Sequence, residues 1–492
     1  MSMKRREHLA VIAHDMGLIF EFLGVITLVP FIVLLVFREW HMVIPMASVP
    51  LTFVVTGFLI SRMPRREHAP NLSVALVAVA LTWLAIAVVG AFPFVLGLKM
   101  SWTDSIFEAM SGWTGTGFSM VAPLDTIPRT LIFWRSFMQW IGGIGVIAFG
   151  IAMLSRSGLA RHHLYRSEGR SEDLMPNVVS TGRRMWVIYL FLTIAFTGMV
   201  MISGIPLWDS LNLVMVSLAT GGFNLHDGGM AYYDNVVLEM LLIPVMLAGA
   251  LPFKLYFLIY QGRIRPFFQD RVVQLILALA FFGSLAVSLD LYIFNNVPLA
   301  TAFRQGYFCT VSGLTCCGLQ NSDLRWVAAP LIVITLLMMI GGAAGSTAGG
   351  IKANRVILGY EGLVWWFKRY FVRGNVMVPF RHEGKVIPRK ISEVELSKNM
   401  LIIVLYVLTI FIATIAALHL AQTDFRTHEV VFEEVSAMSN VGLGVGYMVP
   451  ASPVSVKWIF IMLMWVGRLE IVPVLILVMG LVRGFESRVP RA

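Results

Sequence analysis

Four short glycine-bearing stretches constrain this chain more than any other feature. They are Thr114, Gly115, Thr116 and Gly117; Ala219, Thr220, Gly221 and Gly222; Thr315, Cys316, Cys317 and Gly318; and Ser439, Asn440, Val441 and Gly442. Each lies between apolar runs long enough to cross a bilayer but is itself flanked by a segment too short to do so. Aligned on the final glycine, Ser111, Ser312 and Ser436 fall at one register, and Glu108 and Glu433 at another. A fourfold internal repeat carrying a glycine hairpin inside a membrane is the layout of an ion-selective pore.

The membrane reading rests on charge and length. Of 492 residues, 58% are hydrophobic and only 13% charged, too few for a soluble chain of this size. Apolar runs at 16–37, 42–60, 74–96, 131–154, 185–202, 236–259, 272–294, 327–340 with its continuation, 400–420 and 458–482 predict about ten crossings. The first exceeds a signal-peptide core and no small-residue cleavage site follows it, so a retained helix is expected. Lys4, Arg5, Arg6, Arg62, Arg65, Arg66, the arginines of 156–184, Arg263, Arg265, Arg271 and the basic segment 352–398 fall on one side of alternating spans. That side is expected to be cytoplasmic, with the N-terminus there. The net charge of +10 is then orientation bias and not a nucleic-acid footprint.

The fold class expected is an all-α polytopic membrane protein: a two-helix extension (1–71), then four pseudo-symmetric helix–pore-loop–helix repeats around one central pore. The repeats and their following loops occupy 72–182, 183–269, 270–397 and 398–492. In the first, Ser105 and Glu108 fit a capping box opening a half-crossing helix that ends near Trp113. Irregular backbone at that depth is tolerable only where it lines a protein-enclosed, watery cavity. There a dehydrated monovalent cation needs carbonyl oxygens in place of its water shell. The four glycines leave room for such oxygens to converge. Cys309, Cys316 and Cys317 read as small pore-loop side chains, since adjacent cysteines rarely bridge and no histidine completes a zinc spacing.

Two further features bear on control. Small residues interrupt an inner helix after Ile340, at Gly345, Ser346, Thr347, Ala348, Gly349 and Gly350, ending at Lys352. This run is not a phosphate loop, because Ile351 and Lys352 follow it where Lys-Ser/Thr belongs. It reads as a movable gate beneath the hairpins, with a close helix contact as the plainer account. Arg468 sits mid-way along the last run, where a cation is costly unless it faces a pore or a partner. An electrostatic barrier and a structural ion pair both fit. Glu470 is two residues away and points elsewhere on a helix. Glu108 and Glu433 either bond backbone N–H groups of their hairpins or cap helices. Asp15 and Glu21 read as helix-end or packing charges. Enzyme readings fail: Val386 and Phe432 stand where His382-Glu383 and His428-Glu429 would need a second zinc-binding histidine. No dinucleotide fingerprint follows a strand pattern.

The hairpins resemble the selectivity filters of the Trk/Ktr potassium-uptake family. The resemblance extends to Trp134-Arg-Ser-Phe-Met-Gln-Trp-Ile-Gly-Gly-Ile-Gly145 and Gly341-Gly-Ala-Ala-Gly-Ser-Thr-Ala-Gly-Gly-Ile-Lys352. The two extra N-terminal helices point to the TrkH/TrkG branch over the shorter KtrB branch. The resemblance implies potassium bound in transit by the sixteen hairpin residues, a homodimer with one pore per chain, a TrkA-like cytoplasmic nucleotide-binding ring, and residence in a bacterial or archaeal cytoplasmic membrane. Gly115 stands where the first filter often has Thr, and Cys316-Cys317 replaces more usual small polar residues, which leaves potassium-over-sodium discrimination open. Gly117, where sodium-selecting plant relatives can carry serine, favours potassium. A sodium-permeable or cation-coupled carrier of the same fold is the alternative, and a polytopic membrane enzyme a remote one.

Overall fold

The computed structural model describes residues 3–62, 72–145, 178–372, 378–382, 385–421 and 424–483. These are helical apart from loops and one antiparallel hairpin, Phe380–His382 against Lys385–Ile387. Uninterrupted apolar stretches of membrane-crossing length are Ile12–Phe37, Trp40–Ser61, Ser73–Leu98, Arg183–Met201, Arg271–Ile293 and Ile391–Leu420. The first two lie against one another and against Leu72–Gly90.

Four helices stop short: Trp102–Thr114, Leu207–Leu218, Leu299–Leu314 and Thr427–Met438, of 13, 12, 16 and 12 residues. At ~1.5 Å per residue they reach about 18–24 Å, less than a ~30 Å hydrocarbon core. Each is buried over its C-terminal half, so its end is delivered into the protein interior. The first begins earlier than its sequence suggests. Ser101 is the N-cap, its hydroxyl accepting from Asp104 N at 3.1 Å, so Ser105 lies inside the helix and opens no capping box.

The helices that follow these segments depart from the expected ten continuous crossings. Val236–Ala250 and Phe253–Tyr260 meet at 100°, and Val454–Leu469 and Val472–Gly480 at 109°. Ala328–Ile340 ends at Gly341, and Arg129–Gly143 ends just before Gly145, with 146–177 outside the described residues. Among the described residues there are therefore six spans of crossing length without a sharp bend and two that are sharply broken. Hydropathy is blind to such breaks, because Leu251 and Ile471 are as apolar as the helices they separate. Pro252 removes a donor and pushes its predecessor out of the helical region. Glu470 and Ile471 instead take left-handed backbone, at φ 61° and 60°.

Candidate functional site

The four short helices end in one common way. In each, the residue two before the aligned glycine is left-handed: Gly115 (φ 68°), Thr220 (53°), Cys316 (58°) and Asn440 (53°). Its N–H donates back to the carbonyl of Gly112, Ser217, Gly313 or Ala437 at 3.1 Å. The next N–H donates to the carbonyl of Ser111, Val216, Ser312 or Ser436, at 2.8–2.9 Å. This is the Schellman termination, which satisfies helix-end carbonyls and turns the chain sharply. The aligned glycines are also left-handed, at 95°, 71°, 86° and 96° for Gly117, Gly222, Gly318 and Gly442. Glycine at 115 is thus the unstrained choice at a position where the other three copies force a side chain into αL.

The bends come together around one axis. A Cβ added at Gly117 would collide with the Gly221 carbonyl, one at Gly222 with that of Cys317, one at Gly318 with that of Val441, and one at Gly442 with that of Thr116. The sequence of contacts runs from the first bend to the second, third and fourth and returns to the first. Four carbonyls from equivalent positions therefore stand in a closed ring whose members approach too closely for any side chain.

Buried side chains hold this ring. Ser111 Oγ accepts from Gly117 N at 3.0 Å and Ser436 Oγ from Gly442 N at 2.9 Å. Glu433 is fully buried and accepts from four consecutive N–H groups, those of Val445, Gly446, Tyr447 and Met448, at 2.7–2.8 Å. Glu108 accepts from Met120 N (2.6 Å), Ser119 Oγ and Arg135 Nε (2.7 Å). Both carboxylates thus bind their hairpins and neither caps a helix. Arg135 also donates to the Asn224 carbonyl at 2.7 Å, tying the first repeat to the second. Gln139 spans the second bend, donating to Gly221 O (2.6 Å) and accepting from Phe223 N (3.1 Å). Asn440 Nδ2 donates to Thr116 Oγ1 (3.0 Å) and Met464 O (2.9 Å). Arg135 and Gln139 lie within a motif visible in the sequence, but their roles depend on contacts with a distant repeat. Cys309, Cys316 and Cys317 are buried and unbridged.

The 341–352 segment lies directly against the ring. Thr347 Oγ1 meets Thr220 Oγ1 (3.2 Å), Leu218 O (3.0 Å) and Gly249 O (2.9 Å), and a Cβ at Gly349 would strike the Ser439 carbonyl. Ala343 N donates to Ala250 O (2.9 Å), Phe253 N to Gly345 O (3.1 Å) and Lys352 Nζ to Ala348 O (3.2 Å). Arg468 is in the last turn of Val454–Leu469, at the helix break and not mid-span. It donates to the carbonyls of Thr347 (3.2 Å), Gly142 and Gly143 (3.2 Å) and lies 5.4 Å over the Trp83 ring. Glu470, next to the break, pairs with Arg355 and with Lys352 (3.8 Å). The space left among Gly345, Ser346, Gly349, Asn440, Arg468 and Glu470 is about 30 Å³, room for little more than a water. Glycine, serine and threonine in this segment answer to a crowded site as well as to a flexible one.

Known proteins resemble this chain in sequence and in fold. The family model described as "TrkH: Cation transport protein" matches residues 41–482. An uncharacterized cation transporter of Methanocaldococcus jannaschii is 31% identical, covering 95% of this chain and 94% of its own. The Trk system potassium uptake protein TrkH of Salmonella typhimurium is 29% identical over 81% and 83%. Among solved structures, the potassium transporter TrkH of Vibrio parahaemolyticus matches with a TM-score of 0.82 at 25% identity, covering 95% of this chain and 98% of that one. With a family match over most of its length and a 31% identical relative covering nearly all of it, this chain belongs to the TrkH family of cation transport proteins.

Proposed function

We propose that this chain takes up potassium across the cytoplasmic membrane, through the ring formed by the bends at 114–117, 219–222, 315–318 and 439–442. The observation that carries this reading is the closed cycle of four equivalent carbonyls, at Thr116, Gly221, Cys317 and Val441, each against the glycine of another repeat. Such oxygens replace the hydration shell of a monovalent cation without adding fixed charge. The curated TrkH relatives named as potassium uptake proteins support the choice of ion. In this reading the four units at 72–182, 183–269, 270–397 and 398–492 each contribute one bend, and 1–71 lies outside the ring.

The 341–352 segment is the gate: it fills the space beneath the ring, pinned by Thr347, Lys352 and Arg468. Arg468 adds positive charge on the conduction path and slows cations there. Control from the cytoplasm comes from a TrkA-like nucleotide-binding ring, and two chains pair as a homodimer with one pore each.

Radiotracer rubidium and sodium uptake into liposomes holding the purified chain tests the selectivity. Rubidium uptake well above sodium uptake supports potassium, and equal uptake favours the sodium-permeable reading. Uptake driven only by an imposed proton or sodium gradient favours a coupled carrier.

A further inference from the structure

A second cavity, of about 410 Å³, opens beside the start of the Arg271–Ile293 span, on the side where the chain concentrates basic residues. Lys254, Asp270, Arg271, Asn354, Ile357 and His382 line it. They come from four elements: the helix Phe253–Tyr260, the start of Arg271–Ile293, the helix Ala353–Tyr370, and the β-hairpin. Its carboxylates are engaged. Asp270 caps the span, accepting from Val272 N (2.8 Å) and Val273 N (3.3 Å), and the neighbouring Glu361 takes Arg271 Nη1 and His382 Nδ1 (2.6 Å).

Two properties give this cavity a ligand class. Lys254 brings an ammonium, and Arg271 a guanidinium that gives Nη1 to Glu361 and carries further N–H donors, a set that matches phosphate oxygens. The volume suits a headgroup or small organic phosphate and far exceeds a bare cation. Two lining elements also grip the segment beneath the ring. Phe253, adjacent to Lys254, donates its N–H to Gly345 O at 3.1 Å, and Asn354 Oδ1 accepts from Ala344 N at 2.7 Å.

We propose that this cleft binds a phosphate group, carried by an anionic phospholipid or by a soluble phosphate compound. Its occupancy draws Phe253–Tyr260 and Ala353–Tyr370 together and so tightens their hold on Ala344 and Gly345. The binding step stands alone; the consequence for flux rests on the gate reading above.

The test uses the full chain in phosphatidylcholine nanodiscs, with phosphatidylglycerol retention read by native mass spectrometry. ATP and inorganic phosphate binding, read by equilibrium dialysis, forms the soluble arm. Wild type is expected to hold the probe of one arm. Lys254→Gln and Arg271→Gln each weaken that binding by about tenfold, as expected for loss of one charge-assisted contact, while Lys254→Arg restores it. No binding in either arm, or both glutamine variants binding as wild type, overturns the proposal. In liposomes the bound probe should lower rubidium flux several-fold in wild type and leave a chain deleted for 345–349 unaffected. If deletion raises flux but the probe does not lower it in wild type, the clamp fails and the gate survives. If deletion does not raise flux, the gate reading fails while the binding result stands.

Discussion

Glu433 shows how much of the ring depends on single side chains. A buried carboxylate that accepts from four consecutive backbone N–H groups fixes the descending limb of the fourth bend. Glu433→Gln replaces one acceptor oxygen with a donor facing N–H groups and should cost about 2–3 kcal/mol, the loss of hydrogen bonds to a charged group. A lower melting temperature in detergent and reduced rubidium-over-sodium uptake are expected; melting and selectivity equal to wild type would disprove the role. On the loops outside the ring, His226 Nδ1 lies 2.6 Å from Asp125, and the Asp227 carboxylate accepts from Leu124 N at 2.7 Å. The hydrogen bond from His226 holds the Asp125 carboxyl below the usual aspartate range. A pKa depressed in the folded state means the contact contributes fully above that range and is lost as pH falls through the depressed value. Protection of residues 119–127 from hydrogen exchange, corrected for the intrinsic exchange rate, should therefore fall at strongly acidic pH, and His226→Ala should make that fall smaller. Glu108 and Glu433 are visible as a repeated position, but from sequence a helix cap is the plainer account, and the structure makes both hairpin braces. Their partners are set by how the chain turns after each glycine, which only the folded loop reveals.

Broken helices are the defining elements here. After each short helix the chain returns through a helix that ends near the ring: at Gly143, Ala250, Ile340 and Leu469. Small residues made the third break legible. The others are hidden within apolar runs, because hydropathy averages over a bend and a buried turn keeps the composition of its surroundings. The segment 341–352 bridges this level, held by Thr347, Lys352 and Arg468. Deleting 345–349 is expected to raise rubidium flux several-fold in a chain that still folds, as measured in liposomes; unchanged or lower flux would remove the gate. Arg468→Ala should also raise flux, by roughly tenfold if it removes one cation worth about 1.4 kcal/mol of barrier. Lower flux with a normal melting temperature would instead assign Arg468 to holding Thr347 and Gly143 in place.

At the scale of the whole molecule the ring is one object, although its members are far apart in sequence. Gly117 and Gly442 belong to the first and last bends along the chain, yet the latter abuts Thr116. Gly117→Ala and Gly442→Ala should each sharply reduce flux in folded protein. The double variant should be little worse than either single one, because neighbours within one contact network do not add. Independent, multiplicative losses would mean that the two glycines act in separate structures.

Composition, charge asymmetry and the recurring glycines were enough to establish a multi-span helical membrane protein with four related hairpins, because bilayer insertion and backbone satisfaction act on local sequence. Where the helices break, which carboxylate braces which loop, and the cyclic order of carbonyl against glycine were decided by tertiary packing. Those features arise where segments from different repeats come within contact distance, and a linear pattern of residues does not encode that proximity.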